Sequence, residues 1–207
     1  QMPLIDENGK LLMGENRLIK EASDGNGGIF RSMATHGCLA DMEKRGVKWL
    51  FIGSIDNVLL KMVDPTLIGL AEERNVKIAT KSVVKNGPHE RVGVICKRDG
   101  KVGVIEYSEM PTEMAEALEE DGDLKFGESH IMCNLFSIDI LKTLANVTLP
   151  YHKAHKKNSY LDENCNLVVP DEPNSYKFEM FIFDSFNYVS DIAILRGTRE
   201  VDFAPVK

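Results

Sequence analysis

Trp49-Leu50-Phe51-Ile52-Gly53-Ser54-Ile55 is a nearly continuous apolar run of strand length, and it stops at Asp56-Asn57. A run of this kind fits a strand covered on both faces, as in a mostly parallel sheet, which requires helices above and below it. Asp56 then falls at the C-terminal edge of the strand. That edge is where an open α/β sheet holds a ligand, a phosphate or a metal.

The flanking sequence supplies the helices. Ile29 to His36 and Leu39 to Lys44 carry helical spacing with Gly46 as a stop, and Asp64-Pro65 gives an N-cap followed by proline at the first helical position. Leu4-Ile5 and Leu11 to Met13 read as a short hairpin around Asp6-Glu7-Asn8-Gly9. Lys77 to Val84 reads as a strand, and Val92 to Cys96 with Val102 to Tyr107 as a hairpin across Lys97-Arg98-Asp99-Gly100. Further helices are predicted at Thr112 to Glu120, Ile138 to Leu144 and Phe178 to Val189, with strands at Ile131 to Ser137 and Asp191 to Arg196. The alternation implies an α/β sheet with helices on both faces and one inserted hairpin. Pro150 to Ser175 is left as a long loop, a feature often tied to function.

Composition narrows the function. The 207 residues are 43% hydrophobic and 28% charged, which suits one globular domain with a real core. A net charge of -7, with no basic cluster longer than His155-Lys156-Lys157, argues against nucleic acid, whose binding draws on a basic face. No apolar stretch approaches the roughly 20 residues needed to span a bilayer, so a membrane role has no support. Cys38, Cys96, Cys133 and Cys165 are far apart without CxxC spacing, and no secretory leader opens the chain. They read as reduced thiols of a cytoplasmic protein. Gln1 ahead of Met2 is read as a tag remnant.

Asp24-Gly25-Asn26-Gly27-Gly28 stands just before the first helical pattern, where small residues let backbone amides approach a ligand at a helix start. Together with Asp56 it suggests a nucleotide-sugar site. Segments in one order along the chain then resemble the UDP-sugar pyrophosphorylases, most closely the UDP-N-acetylglucosamine pyrophosphorylase branch. They are Asp24 to Arg31, Asp56-Asn57 with Asp64-Pro65, Val104-Ile105-Glu106-Tyr107-Ser108-Glu109, His155-Lys156-Lys157, and Pro173-Asn174 leading to Lys177-x-Glu179-x-Phe181-x-Phe183-Asp184.

The resemblance implies the nucleotide-diphospho-sugar transferase fold, a Rossmann-like mixed sheet. It also implies attack of a sugar 1-phosphate on the α-phosphorus of UTP with Mg²⁺ present. By that resemblance Gly25 contacts the uridine part through its backbone, Asn26 contacts the sugar, and Glu106 with Tyr107 touches the sugar hydroxyls. Asp56 is the carboxylate for Mg²⁺, Lys177 a phosphate contact, and Lys207 the phosphate-binding lysine at the reacting centre. Such transfer asks for positioning and charge neutralisation more than a covalent nucleophile, which this inventory supplies.

Two departures stand out. The family's glycine-rich loop of the Leu-x-Gly-Gly-x-Gly-Thr-Arg type is absent, so residues 1–207 are expected to be the C-terminal part of a catalytic domain, either truncated at the N-terminus or completed by another chain, with a dimer as one way to cover an exposed sheet edge. Ser129-His130 stands where the N-acetylglucosamine branch has Gly-Asn, which leaves glucose 1-phosphate, and galactose 1-phosphate behind it, as alternatives. A second reading is a non-catalytic UDP-sugar or sugar-phosphate binding fragment. A glycosyltransferase is a weaker third, because Asp56 is followed by Asn57-Val58 and not by an Asp-x-Asp metal motif.

From the residues alone the bland readings compete. Gly25 to Gly28 is a helix-capping turn, Asp56 a strand-end cap, Glu106 a solvent-facing strand residue, and Lys177 and Lys207 are surface charges. His152 and His155 lack a third ligand at metal spacing and read as structural or polyphosphate-facing. Phe178, Phe181, Ile182 and Phe186 read as core packing.

Overall fold

The structure, a computed structural model, describes residues 1–206. Strands β1 (Met2–Pro3), β2 (Ile5–Asp6) and β3 (Glu21–Ala22) precede helices α1 (Ile29–Thr35) and α2 (Cys38–Lys44). The predicted turn after β2 forms because the Asp6 carboxylate accepts the amides of Asn8 and Lys10, both at 2.8 Å. Next come β4 (Trp49–Gly53), α3 (Pro65–Glu73), β5 (Ile78–Val84) and the hairpin β6 (Val94–Arg98) and β7 (Lys101–Ile105). The hairpin turns on Asp99 and Gly100 at φ 50° and 79°, the left-handed pair that a two-residue loop requires. After α4 (Thr112–Ala115) come β8 (Glu128–Ser137), α5 (Ile138–Leu144), β9 (His152–Lys156), β10 (Tyr160–Leu161), β11 (Leu167–Val168) and β12 (Ser175–Glu179). A 3-10 helix (Ile182–Tyr188), β13 (Ala193–Arg196) and α6 (Arg199–Asp202) complete the order.

The central sheet runs β13-β5-β8-β6-β7, with β4 paired to the other end of β8. Period-two alternation divides its residues between two cores. Ile78 and Phe136 join Phe30, Leu141, Ile182 and Phe186 on one face, beneath α1, α2, α5 and the 3-10 helix. Ala79, Leu135 and Ala193 meet Leu67 and Ala71 of α3 on the other. Helices therefore cover both faces of a mixed sheet, as expected.

One polar device ties these layers together. Lys81 on β5 is 4% exposed and pairs with Asp64, the N-cap of α3, at 2.5 Å and with Asp202 of α6 at 2.7 Å. Asp64 also caps α3 by accepting the Thr66 amide at 2.9 Å. One buried cation thus fixes two helices to the sheet.

Five expectations need correction. Strand β4 is half-buried along its length, Ile55 is 97% exposed, and among the described residues β4 pairs only with β8, antiparallel. The sole parallel pair among the described strands is β13 with β5, so the sheet is mixed and not mostly parallel. The helix predicted from Thr112 stops at Ala115, because Gly122 at φ 89° turns the chain and Leu118 bridges Leu124. Phe178 to Val189 is no single helix: Ser175–Glu179 pairs residue for residue with β9, and only Ile182–Tyr188 coils. Pro150 to Ser175 is not a structureless loop, since it carries β9, β10 and β11.

Candidate active site

The site forms where β8 changes partners. Its edge is occupied by β4 from Ser137 down to Cys133, and by β6 at Ser129. Between them Met132 takes φ 51°, its carbonyl accepts the Ser54 amide at 2.9 Å, and the Gly93 carbonyl accepts the His130 amide at 2.8 Å. The two strands splay apart there and leave a cleft of about 520 Å³ at the C-terminal end of β4.

The cleft gathers Asn26, Asp56, Glu106 and Tyr107, four of the predicted residues from three distant segments. Asn26 is held by its Oδ1, which accepts the Ile182 amide at 2.7 Å; its Nδ2 lies 3.8 Å from Met132 Sδ. Asp56 sits exposed in the turn after β4. Its neighbour Asn57, 4% exposed, does the anchoring: Oδ1 accepts the amides of Leu59 and Ala204, and Nδ2 donates to the Asp202 carbonyl at 2.7 Å. The Asp56 carboxylate is thereby presented to the cleft, while its backbone carbonyl accepts the Val206 amide at 2.8 Å.

Gly25 is packed against the backbone of Met180. It has φ 85°, and a Cβ there would lie 2.2 Å from the Met180 carbonyl oxygen; a Cβ on Gly27 would come within 3.0 Å of Met180 and Leu149 as well. Gly27 N–H donates to that same carbonyl at 2.9 Å, and Met180 N–H to Asp24 O at 2.8 Å. The glycine loop is small because it is stitched to the chain between β12 and the 3-10 helix, and that stitch is what aims Asn26. Lys177 pairs with Glu179 at 2.8 Å on the same face of β12, and Glu179, not Lys177, borders the cleft. Phe203 and Pro205 also line it, whereas Lys207 lies outside the described residues.

His130, which the sequence marked only as a departure from the family pattern, borders the cleft, as do Glu179, Phe181 and Phe183, to which sequence reasoning gave no site role. Glu179 and the two phenylalanines stand inside the Lys177-x-Glu179-x-Phe181-x-Phe183 segment, so their alternation was the available signal. Phe181 and Phe183 stack at 5.1 Å as an aromatic wall. His130 is 6% exposed, edge-on to Phe183 and Phe186, and its Nε2 is 3.0 Å from Asn134 Oδ1. Burial pushes its pKa down to about 4, so it is neutral near pH 7.

Among the described residues no group of three or more His, Cys, Asp or Glu side chains could hold a metal by itself. His152 lies between Glu109 and Asp184, and His155 pairs with Glu7 at 3.2 Å.

The sequence profile of the UTP–glucose-1-phosphate uridylyltransferase family matches residues 1–207. The chain belongs to that family. Among family relatives it is 36% identical over 209 residues to the human UDP-N-acetylhexosamine pyrophosphorylase-like protein 1, and 37% identical over 213 residues to the UDP-N-acetylglucosamine pyrophosphorylase of Saccharomyces cerevisiae. Each match takes in the whole of this chain but only 41% and 45% of the relative, so the chain spans less than half the length of these family members. A putative UDP-N-acetylglucosamine pyrophosphorylase of Entamoeba histolytica superposes with TM-score 0.88 at 32% identity, covering 100% of this chain and 51% of that one. The Trypanosoma brucei UDP-N-acetylglucosamine pyrophosphorylase gives TM-score 0.83 at 33% identity, covering 100% and 42%. The family fold is the mixed α/β sheet described above.

Proposed function

We propose that the chain builds the sugar-facing part of a UTP-dependent sugar-1-phosphate uridylyltransferase site. The observation that carries this reading is the convergence of Asn26, Asp56, Glu106 and Tyr107 on one cleft beside an aromatic wall. A cleft rich in oxygen acceptors, with the Asn26 amide fixed by Ile182 N–H, suits a polyol, whose hydroxyls donate and accept at fixed angles. The names of the relatives favour N-acetylglucosamine 1-phosphate over glucose 1-phosphate.

In the proposed reaction an oxygen of the sugar phosphate forms a bond to the α-phosphorus of UTP, and the bond to the pyrophosphate oxygen breaks. Asn26, Glu106 and Tyr107 orient the sugar so that this attack is in line. Mg²⁺ would supply charge neutralisation on the phosphates. One presented carboxylate, Asp56, fits that ion, which usually takes one or two carboxylates and completes its shell with phosphate and water. Lys177 and Lys207 are proposed as phosphate contacts, Lys177 by exchanging Glu179 for an anionic ligand.

Asp56→Ala is expected to abolish the Mg²⁺-dependent part of UDP-sugar binding, measured by calorimetric titration with and without the ion; an unchanged Mg²⁺ increment removes Asp56 from this role. Lys177→Ala is expected to weaken UDP-sugar binding by about 1.5–3 kcal/mol, the scale of a charge-assisted contact. A loss indistinguishable from zero leaves Lys177 as a partner of Glu179 alone.

A further inference from the structure

His152 lies behind the aromatic wall, outside the cleft. Its ring centroid is 4.8 Å from that of Phe181 and 6.1 Å from that of Phe183. Nδ1 stands 2.8 Å from Glu109 Oε1, and Nε2 stands 2.8 Å from Asp184 Oδ2. Glu109 belongs to the turn that carries Glu106 and Tyr107, closed by the Glu109 amide on the Glu106 carbonyl at 2.9 Å. Asp184 lies in the first turn of the 3-10 helix, whose N-cap is Phe181 and whose second residue is Phe183. One imidazole thus joins two chain segments that border the cleft.

A neutral imidazole has a single N–H and would turn a lone pair toward one of the two carboxylates. Only the doubly protonated ring donates to both. We propose that His152 is a positioning residue: as an imidazolium it clamps the Glu106–Glu109 turn to the Phe181–Asp184 segment, and loss of its proton to solvent loosens the cleft. That the clamp serves sugar binding rests on the function proposed above.

The charges that face this ring are Glu109 from the turn after β7 and Asp184 from the 3-10 helix; Arg98, Asp99 and Lys101 of the β6–β7 hairpin line the adjoining cavity. Burial alone would lower the pKa of His152, but hydrogen bonds and charge from Glu109 and Asp184 outweigh it and leave it above the usual histidine value. A raised folded-state pKa means the clamp is complete below the ordinary histidine pKa and is lost as pH rises through the raised one.

The test is a pH titration of the ¹⁵N-labelled chain by NMR. Expected are two protonated ring nitrogens on His152 near neutral pH, a midpoint above that of free histidine, and Tyr107 and Phe181 amide shifts that follow the same midpoint. Glu109→Gln should lower the midpoint. His152→Phe, which keeps an aromatic ring against Phe181, should remove the coupled shifts. In a second arm, affinity for UDP-N-acetylglucosamine, whose diphosphate does not titrate in this range, should fall roughly fivefold or more across the midpoint in the wild type and stay flat in His152→Phe. A singly protonated ring, an ordinary or lowered midpoint, or Tyr107 and Phe181 amides that ignore the transition overturns the clamp. Coupled NMR shifts without UDP-sugar binding at any pH would sustain the clamp and overturn the sugar-site reading.

Discussion

Lys81→Met is expected to destabilise the fold by about 3–5 kcal/mol, because it removes the cation from a buried triad, leaving Asp64 without its counter-ion and Asp202 with only Lys61 at 3.9 Å. The side chain is close to isosteric, so packing changes little. The cost should come from Asp64 and Asp202, which sit 2.5 Å and 2.7 Å from the ammonium in positions almost closed to water. Urea unfolding measures it, and the cause is separable: the same substitution made together with Asp64→Asn and Asp202→Asn should cost much less. A loss below about 1 kcal/mol in the single variant would assign the triad to the weak class of exposed pairs. The pH dependence has a defined sign. Burial pushes Asp64 up, yet Lys81 and the Thr66 amide outweigh burial and hold its carboxyl below the usual range. Its contribution is therefore present above the ordinary aspartate pKa and disappears as pH falls through the lowered value.

The second large effect is expected at Gly25→Ala. Two costs combine there: a left-handed φ of 85° and a Cβ driven to 2.2 Å from the Met180 carbonyl oxygen, which is backbone and cannot swing aside. Together they are expected to cost about 2–4 kcal/mol and to shift the loop that aims Asn26. Gly37→Ala provides the comparison, since Gly37 has φ 76° with nothing within 4 Å of the new Cβ; it should cost only about 1–2 kcal/mol. Equal losses at the two glycines, measured by thermal unfolding, would mean that the contact with Met180 carries no weight.

Much of this arrangement was legible locally. Asp99-Gly100, Asp64-Pro65 and the Asp6 turn carry their structural reason in a few adjacent residues, and each formed as expected. That the chain turns at Asp56 was legible because an apolar run ends there. What was hidden depends on distant partners. The Phe178–Val189 pattern reads as a helix until β9 takes up the backbone groups of Ser175–Glu179. The close approach of Met180 to Gly25 and Gly27 was hidden, because Met180 stands more than a hundred residues away along the chain. Nor could spacing alone place His152 between Glu109 and Asp184, or His130 at the floor of the cleft.

The most direct test of the sugar-site reading is calorimetric titration of the 207-residue chain with UDP-N-acetylglucosamine, UDP-glucose and UDP in the presence of Mg²⁺. Saturable binding of one UDP-sugar, tighter than UDP, with that extra affinity lost in Glu106→Gln, is the expected result. Binding of UDP and UDP-sugars with equal affinity, or no saturable binding of any of the three, would contradict the assignment of this cleft to the sugar.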